Sequence, residues 1–283
     1  MKLTVLFFIS MLIHAAFGQE KSLCYEISHP SCPIEKSYLF GTMHVMDESH
    51  FFFPKKLSKL LTKSKALCLE VKEISQVSIE PELLFDEAFS IKNHCTKNQW
   101  DSLADWSKHI LLLNAEQFEA NFAHAKPFML LQFIVSTNLP MLRRSHEIEL
   151  EKIAKSKKIS LLELEDIRTQ LELFDAIPIE GQMNLIFEEL RDLEVSKDAF
   201  IHMQEVYSEQ DLETLCNLAF SGVMKEYRGL FLDNRNKKWI PKMEKMMKQQ
   251  STFFAVGSGH LCGNYGLISL LENQGYLLKK MKL

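Results

Sequence analysis

The sequence predicts an α/β fold: a single domain with a mixed central sheet built from N- and C-terminal strands, carrying a large helical insertion. Three observations predict it. Short apolar runs of the strand type cluster towards the two ends of the chain, helical periodicity dominates between them, and turn-forming residues are scarce. Ten glycines and eight prolines in 283 residues are too few for the many turns of an all-β sandwich or barrel. No stretch rich in Gly, Pro or Ser divides the chain, so residues 19–283 are read as one domain behind an 18-residue leader.

The leader is Met1 to Gly18, MKLTVLFFISMLIHAAFG. A single Lys2, an apolar run and the small-residue end Ala16-Phe17-Gly18 make the three-part pattern of a signal peptide, with cleavage expected after Gly18. The run is short for a membrane span. The expected product is an exported chain, periplasmic or secreted, with no membrane span in its mature part. Loss of Lys2 takes the formal charge from −4 to −5. A chain so close to neutral lacks the basic excess of a nucleic-acid-binding protein. With 46% hydrophobic and 25% charged residues it is also outside the disordered and low-complexity classes.

The elements follow in order. Cys24-Tyr25-Glu26-Ile27-Ser28 and Ser37-Tyr38-Leu39-Phe40-Gly41 are expected to pair as strands around a turn. Pro54 to Lys63 has helical spacing, and Ala66 to Val71 reads as a buried strand ending in Glu70. Thr96-x-x-Gln99 is a capping box opening a helix that runs towards Ile110. Lys126 to Val135 is almost wholly apolar and reads as a buried helix. Ile159 to Leu164 is another short strand. Helices are expected over Pro178 to Leu193 and Ser208 to Leu218, and an amphipathic stretch from Gly222 to Lys248 is expected to break at Pro241. Thr252-Phe253-Phe254-Ala255-Val256 is the clearest strand, and Tyr276 to Met281 closes the sheet.

Six cysteines follow the leader, where export permits disulfides. Cys24 and Cys32 flank Ser28-His29-Pro30-Ser31 and are expected to close a short hairpin. Cys95 and Cys216 are a candidate pair across the helical middle. Cys68 lies in an apolar run and is expected to be a buried free thiol. No Cys-x-x-Cys pair is present, so neither a thioredoxin-type motif nor a zinc ribbon is supported.

One local pattern occurs twice. Gly41-Thr42-Met43-His44 follows a strand, and so does Gly257-Ser258-Gly259-His260. Strand ends are where an α/β sheet places its ligand crevice. Glycine there permits a sharp turn or a positive φ, and a histidine three residues on is placed to face the crevice. Two imidazoles converging from separate strands make a metal site plausible chemistry. Each copy alone is weak, since a lone histidine is more often a surface or core residue. Glu70 is the third candidate: a carboxylate at the end of a buried strand is costly unless it binds a cation or accepts strong hydrogen bonds. Its bland reading is a solvated residue continuing into Lys72 and Glu73. Glu165 ends its strand in the same way. Glu147, beside His146, falls on a helix where a solvated face is the default.

Other motifs are not supported. His146-Glu147 lacks the second histidine of a zinc-protease helix, and Gly257-x-Gly259 lacks dinucleotide-binding spacing. Ser258 is not in a Gly-x-Ser-x-Gly elbow. The lysines between Lys237 and Lys248 read as a solvated face, and the methionines of Met243 to Met247 as core filling.

At these residues the sequence resembles the TraB/GumN family, which includes the Tiki proteases. The resemblance rests on Tyr38-Leu39-Phe40-Gly41-Thr42-Met43-His44, on Leu67-Cys68-Leu69-Glu70-Val71, on Leu162-Glu163-Leu164-Glu165 with Gln170 and Leu173 to Pro178, on Arg235-Asn236 with Trp239, and on Phe254 to Leu261 continuing through Gly266-Leu267 to Gly275-Tyr276. These run in family order from about Cys24 to the C-terminus. The resemblance implies one α/β domain with a helical insertion, EreA/ChaN-like in arrangement. It implies His44, Glu70 and His260 as a metal and catalytic set, with Gly41, Gly257 and Gly259 shaping the turns. Arg235 and Asn236 would line the same site, with Glu147 and Glu165 as further members. No membrane helix follows His260 as in Tiki proteins, so the chain looks closer to the soluble bacterial GumN-like branch.

The function expected from these readings is metal-dependent hydrolysis of a peptide or small molecule by a metal-activated water. The cofactor is a divalent ion, with Mn, Co and Zn all open. The competing expectation is a non-catalytic protein that sequesters a peptide or haem in the same crevice.

Overall fold

A computed structural model describes residues 21–31, 35–73, 85–218 and 225–283. The expected leader and Cys32 lie outside these residues. The chain begins with β1 (Cys24–Ser28) and β2 (Ser37–Thr42), which pair antiparallel with Tyr25 opposite Leu39. The short β3 (Met46–Asp47) and helix α1 (Lys55–Lys63) lead to β4 (Ala66–Leu69). The helical insertion follows as α2 (Lys97–Trp106), α3 (Ala115–Phe122) and α4 (Pro127–Asn138). Next come β5 (Arg143–Arg144), paired with β3, and α5 (His146–Lys157). β6 (Ser160–Glu163) returns to the sheet. Then come α6 (Ile167–Asp175), α7 (Ile179–Arg191), α8 (Leu193–Ser208), α9 (Leu212–Leu218) and α10 (Asn234–Gln249). The chain ends with β7 (Thr252–Gly257), α11 (Leu267–Asn273) and β8 (Leu277–Lys280).

The main sheet has six strands in the order β6-β4-β7-β2-β1-β8. β6, β4, β7 and β2 run parallel to one another, whereas β1 is antiparallel to both β2 and β8. The sheet is therefore mixed, as the sequence predicts. Its centre is the apolar run TFFAVG of β7, buried at every position. Continuous burial is what a strand covered on both faces requires.

Side chains alternate between the two faces with the strand period of two. Tyr38 and Phe40 of β2, Leu67 and Leu69 of β4, and Phe253 and Ala255 of β7 point to one face. There they meet Leu57 and Leu61 of α1, Leu150 and Ala154 of α5, and Tyr207 of α8. Leu39, Cys68, Phe254 and Val256 point to the other face, against Trp239, Met243 and Met247 of α10 and Leu267 and Leu271 of α11. A separate apolar core, including Trp106, Phe118, Ile134 and Ile186, holds the insertion together.

Several local expectations hold. Thr96 caps α2 and Gln99 reaches back to it, completing the capping box. Cys68 is a buried free thiol. Others are corrected. Pro241 sits inside an unbroken α10. The carbonyl that loses its partner belongs to Lys237, on the exposed side of the helix and open to solvent. Ser208 ends α8 instead of opening a helix. Cys216 bonds to Cys262, not to Cys95, which is free. Cys24 is a free thiol buried in β1, so the expected hairpin disulfide is absent from its side. Among the described residues no helix is long and apolar enough to cross a membrane.

Candidate functional site

The parallel strands end along one edge of the sheet. Thr42 of β2 lies opposite Gly257 of β7, and Leu69 of β4 lies opposite both Ala255 and Glu163. The residues that follow each end therefore converge: His44 after β2, Glu70 after β4, Glu165 after β6 and His260 after β7. This is the crevice position of open α/β sheets. Arg235 and Asn236, near the start of α10, complete the centre from the face that carries Trp239.

Glu70 is 8% exposed, and the structure supplies the hydrogen bonds that its burial demands. The Gly257 N–H donates to Oε1 at 2.8 Å. Arg235 Nη2 and Gln170 Nε2 donate to Oε2 at 2.6 and 3.2 Å. Burial alone pushes the Glu70 carboxyl up. The neighbouring His44 and Arg235 charges, with the Gly257 N–H, outweigh it and hold the group down at about 2. Glu70 is ionised at neutral pH.

Arg235 makes five hydrogen bonds, matching its five N–H donors. Nε and Nη2 donate to Glu165 Oε1 at 2.9 and 2.6 Å. Nη1 donates to the Phe231 carbonyl at 2.8 Å and faces His260 Nε2 at 3.1 Å. The remaining bond is the one to Glu70. Trp239 Nε1 donates to Glu165 Oε2 at 3.0 Å, and the guanidinium lies 4.7 Å from the Trp239 ring centroid. Glu165 is thus the buried counter-ion that fixes Arg235.

Each histidine is oriented through Nδ1. His260 Nδ1 meets Asn236 Oδ1 at 2.6 Å, while Asn236 Nδ2 donates to the carbonyls of His260 and Tyr265. Burial pushes the His260 imidazole down to about 3, so it is neutral. The acceptor Oδ1 then places its proton on Nδ1 and leaves Nε2 with a lone pair. His44 Nδ1 meets Glu147 Oε1 at 2.7 Å. The Glu147 charge raises the His44 imidazolium to about 9 against the opposing effect of burial. Its side chain is nevertheless 61% exposed, so the ring opens onto the cleft.

Glu147 is not on a solvated face. It accepts from Thr42 Oγ1 at 2.5 Å and from Ser145 Oγ at 2.8 Å as well as meeting His44. Its carboxyl is buried, which raises its pKa, but the His44 charge and these bonds hold it well below the usual range. The helical default fails because Glu147 lies in the first turn of α5, beside the N-cap Ser145 and aimed at the strand ends.

The glycines matter through space. Gly257 has an ordinary φ of −50°. A β-carbon there would meet His44 Nε2 at 2.8 Å and Glu70 Oε1 at 3.4 Å. One at Gly41 would meet Ser258 Cα and Leu261 at 3.1 Å, so glycine lets the two Gly-x-x-His turns pack together. Gly259 lines the cleft, and its carbonyl accepts from the Cys262 N–H. The Cys216–Cys262 disulfide ties this second turn to α9.

The structure thus brings together His44, Glu70, Glu147, Glu165, Arg235, Asn236 and His260. Sequence reasoning gave no role to Gln170, Thr42 or Ser145. Gln170 and Thr42 were visible in the quoted motifs, and Ser145 as a serine before an acidic helix start. The centre forms the floor of a cleft of about 960 Å³ whose wall includes Phe128, Leu131, Val135 and Phe174.

The residue types are ones that divalent ions take: two imidazoles with Nδ1 held by oxygen acceptors, and one ionised carboxylate. Among the described residues no three His, Cys, Asp or Glu side chains stand at metal-binding spacing, and Arg235 Nη1 occupies the approach to His260 Nε2.

Fold and site together define an α/β protein with a histidine–carboxylate–arginine centre at the carboxyl edge of its parallel strands. The chain belongs to the TraB/PrgY/gumN family, whose profile matches residues 23–280. No curated protein and no solved structure matches it.

Proposed function

We propose that this chain is an exported, metal-dependent hydrolase that cleaves peptide bonds, with His44, Glu70 and His260 as the metal set. The observation that carries the reading is the pairing of each imidazole Nδ1 with an oxygen, Glu147 Oε1 or Asn236 Oδ1. Ligand histidines are oriented in this way. A divalent ion, Mn, Co or Zn, would supply a water of lowered pKa and polarise the scissile carbonyl.

The protein's own groups have distinct parts. A carboxyl held at about 2 is a weak base, so Glu70 serves as an anionic ligand. His44 would hold a cation through a deprotonated Nε2, its proton passing to solvent, and Glu147 keeps the ring in place. Arg235 is positioned beside the set; its Nη1, which faces His260 Nε2, is the donor that would turn to negative charge growing on the carbonyl oxygen if that nitrogen held an ion instead. Water adds to the carbonyl carbon, the C–N bond breaks, and the nitrogen leaves as an amine with a proton from that water. Export is supported by the apolar leader and by the Cys216–Cys262 disulfide, a bond typical of oxidising compartments.

The position of Arg235 between Glu70 and His260 favours a second reading, a non-catalytic protein that sequesters a peptide or haem in the same cleft. Two measurements separate the readings: metal content of wild type against the folded double variant His44→Ala/His260→Ala, and peptide-library cleavage with added Mn, Co and Zn. Stoichiometric metal lost in the variant, with cleavage by wild type, supports the hydrolase. Unchanged metal in the variant overturns the metal set. Retained ligand binding by Glu70→Gln, with no turnover on any metal, turns the reading to sequestration.

A further inference from the structure

The floor of the large cleft is also a neck that it shares with a second cavity. His44, Glu70 and Gln170 line the large cleft and also a second cavity of about 430 Å³ on their other side. Both volumes are of the size that holds an extended organic ligand. Away from the shared residues and Arg235, their walls carry different charges. The large cleft has Glu188, Glu189 and Asp192 on its wall. Arg191 pairs with Asp192, and Ser196 donates to Glu189. The small cavity has Arg143 and Arg144, with apolar Val45, Val71 and Ile148 around them.

The two arginines differ in their engagement. Arg144 pairs with Glu149 at 3.0 Å and lies over the Phe51 ring. The acids of the same cavity are taken as well, Glu147 by Thr42, His44 and Ser145 and Glu70 by Arg235 and the Gly257 N–H. Arg143 has no ion-pair partner among the described residues, and the β3–β5 pairing with Asp47 fixes its backbone. An exposed guanidinium on a fixed backbone suits two-point recognition of a carboxylate.

We infer that the substrate is a short peptide that spans the neck, with an apolar residue in the large cleft and a carboxylate on Arg143 in the small cavity. The inference rests on the hydrolase reading for the scissile bond and adds the substrate's polarity. The acidic wall of the large cleft repels an anion, and Arg143 attracts it, so the chain enters in one direction. The carboxylate comes from the peptide's C-terminus or from an acidic side chain.

The test is calorimetric binding in EDTA, which needs no turnover. Three apolar tetrapeptides of one sequence are compared: the free acid, the C-terminal amide, and the amide with Asp at its last position. At least one carboxylate form is expected to bind wild type about tenfold more tightly than the neutral amide, with the margin shrinking at high salt. Preference for the free acid identifies the terminus; preference for the Asp amide identifies the side chain. Arg143→Gln is expected to abolish the margin and Arg143→Lys to keep part of it. Equal binding of all three peptides to wild type, or a margin that survives in folded Arg143→Gln, overturns the inference. The same peptides are then incubated with Mn, Co and Zn. A margin without cleavage leaves the anion subsite standing and removes the hydrolase reading.

Discussion

His44 Nε2 lies over Gly257 so closely that a β-carbon on that glycine would meet it at 2.8 Å. The first Gly-x-x-His turn therefore depends on the glycine of the second. Gly257→Ala is expected to push the His44 ring outwards into the open cleft. Because that ring is 61% exposed, the displacement costs about 1 kcal/mol or less of stability. On the proposed hydrolase function, peptidase activity is expected to fall at least about tenfold, since a misplaced reactive group loses about that much or more. Steady-state kinetics beside thermal unfolding checks this; wild-type activity in the variant contradicts it.

Arg235 is the partner of two buried carboxylates. Arg235→Ala leaves Glu70 and Glu165 without their cation and is expected to cost about 3–5 kcal/mol. Arg235→Lys keeps the charge but not the fork, and is expected to fall between alanine and wild type. Urea unfolding measures both. An alanine variant as stable as wild type would show that Trp239, Gln170 and Gly257 satisfy the carboxylates alone.

Glu70 makes stability pH-dependent. Its folded pKa, about 2, lies below the ordinary 4.5. The unfolded state thus binds the proton first as pH falls. The contribution is full above about 4.5 and is lost progressively towards 2. Glu70→Gln is expected to lose less stability than wild type over that window, in EDTA, by circular dichroism. Parallel acid-unfolding curves would refute the assignment.

The Cys216–Cys262 disulfide closes a loop of sequence separation 46. Chain entropy puts its removal at about 4 kcal/mol. Cys216→Ser/Cys262→Ser is expected to lower the urea midpoint accordingly and to loosen the His260 turn, visible as faster amide exchange over 258–262. No change in either would assign the bond no structural role.

The strand framework was legible because buried parallel strands leave continuous apolar runs. TFFAVG and ALCL match β7 and β4 closely, and Cys24–Ser28 is β1 itself. Glu70 stood out as a carboxylate at the end of such a run. What stayed hidden depends on contacts across long separations. Glu147 reads locally as a solvated helix residue, and only the docking of α5 beside Thr42 buries it. Cys262 looks like any cysteine after a turn until α9 is laid beside it. Pro241 reads as a helix break, because periodicity does not say which side of the helix faces water.

The central strand of the sheet is contributed almost last. β7 lies between β2 and β4 and pairs with both, although more than a hundred and eighty residues separate it from either. During synthesis β2 and β4 wait with open hydrogen-bonding edges, and their late pairing predicts slow, non-local closure. Until residues 252–261 emerge, His44 and Glu70 have neither His260 nor the Gly257 amide beside them. The candidate site is therefore assembled by topology: its two halves meet only when β7 inserts between β2 and β4.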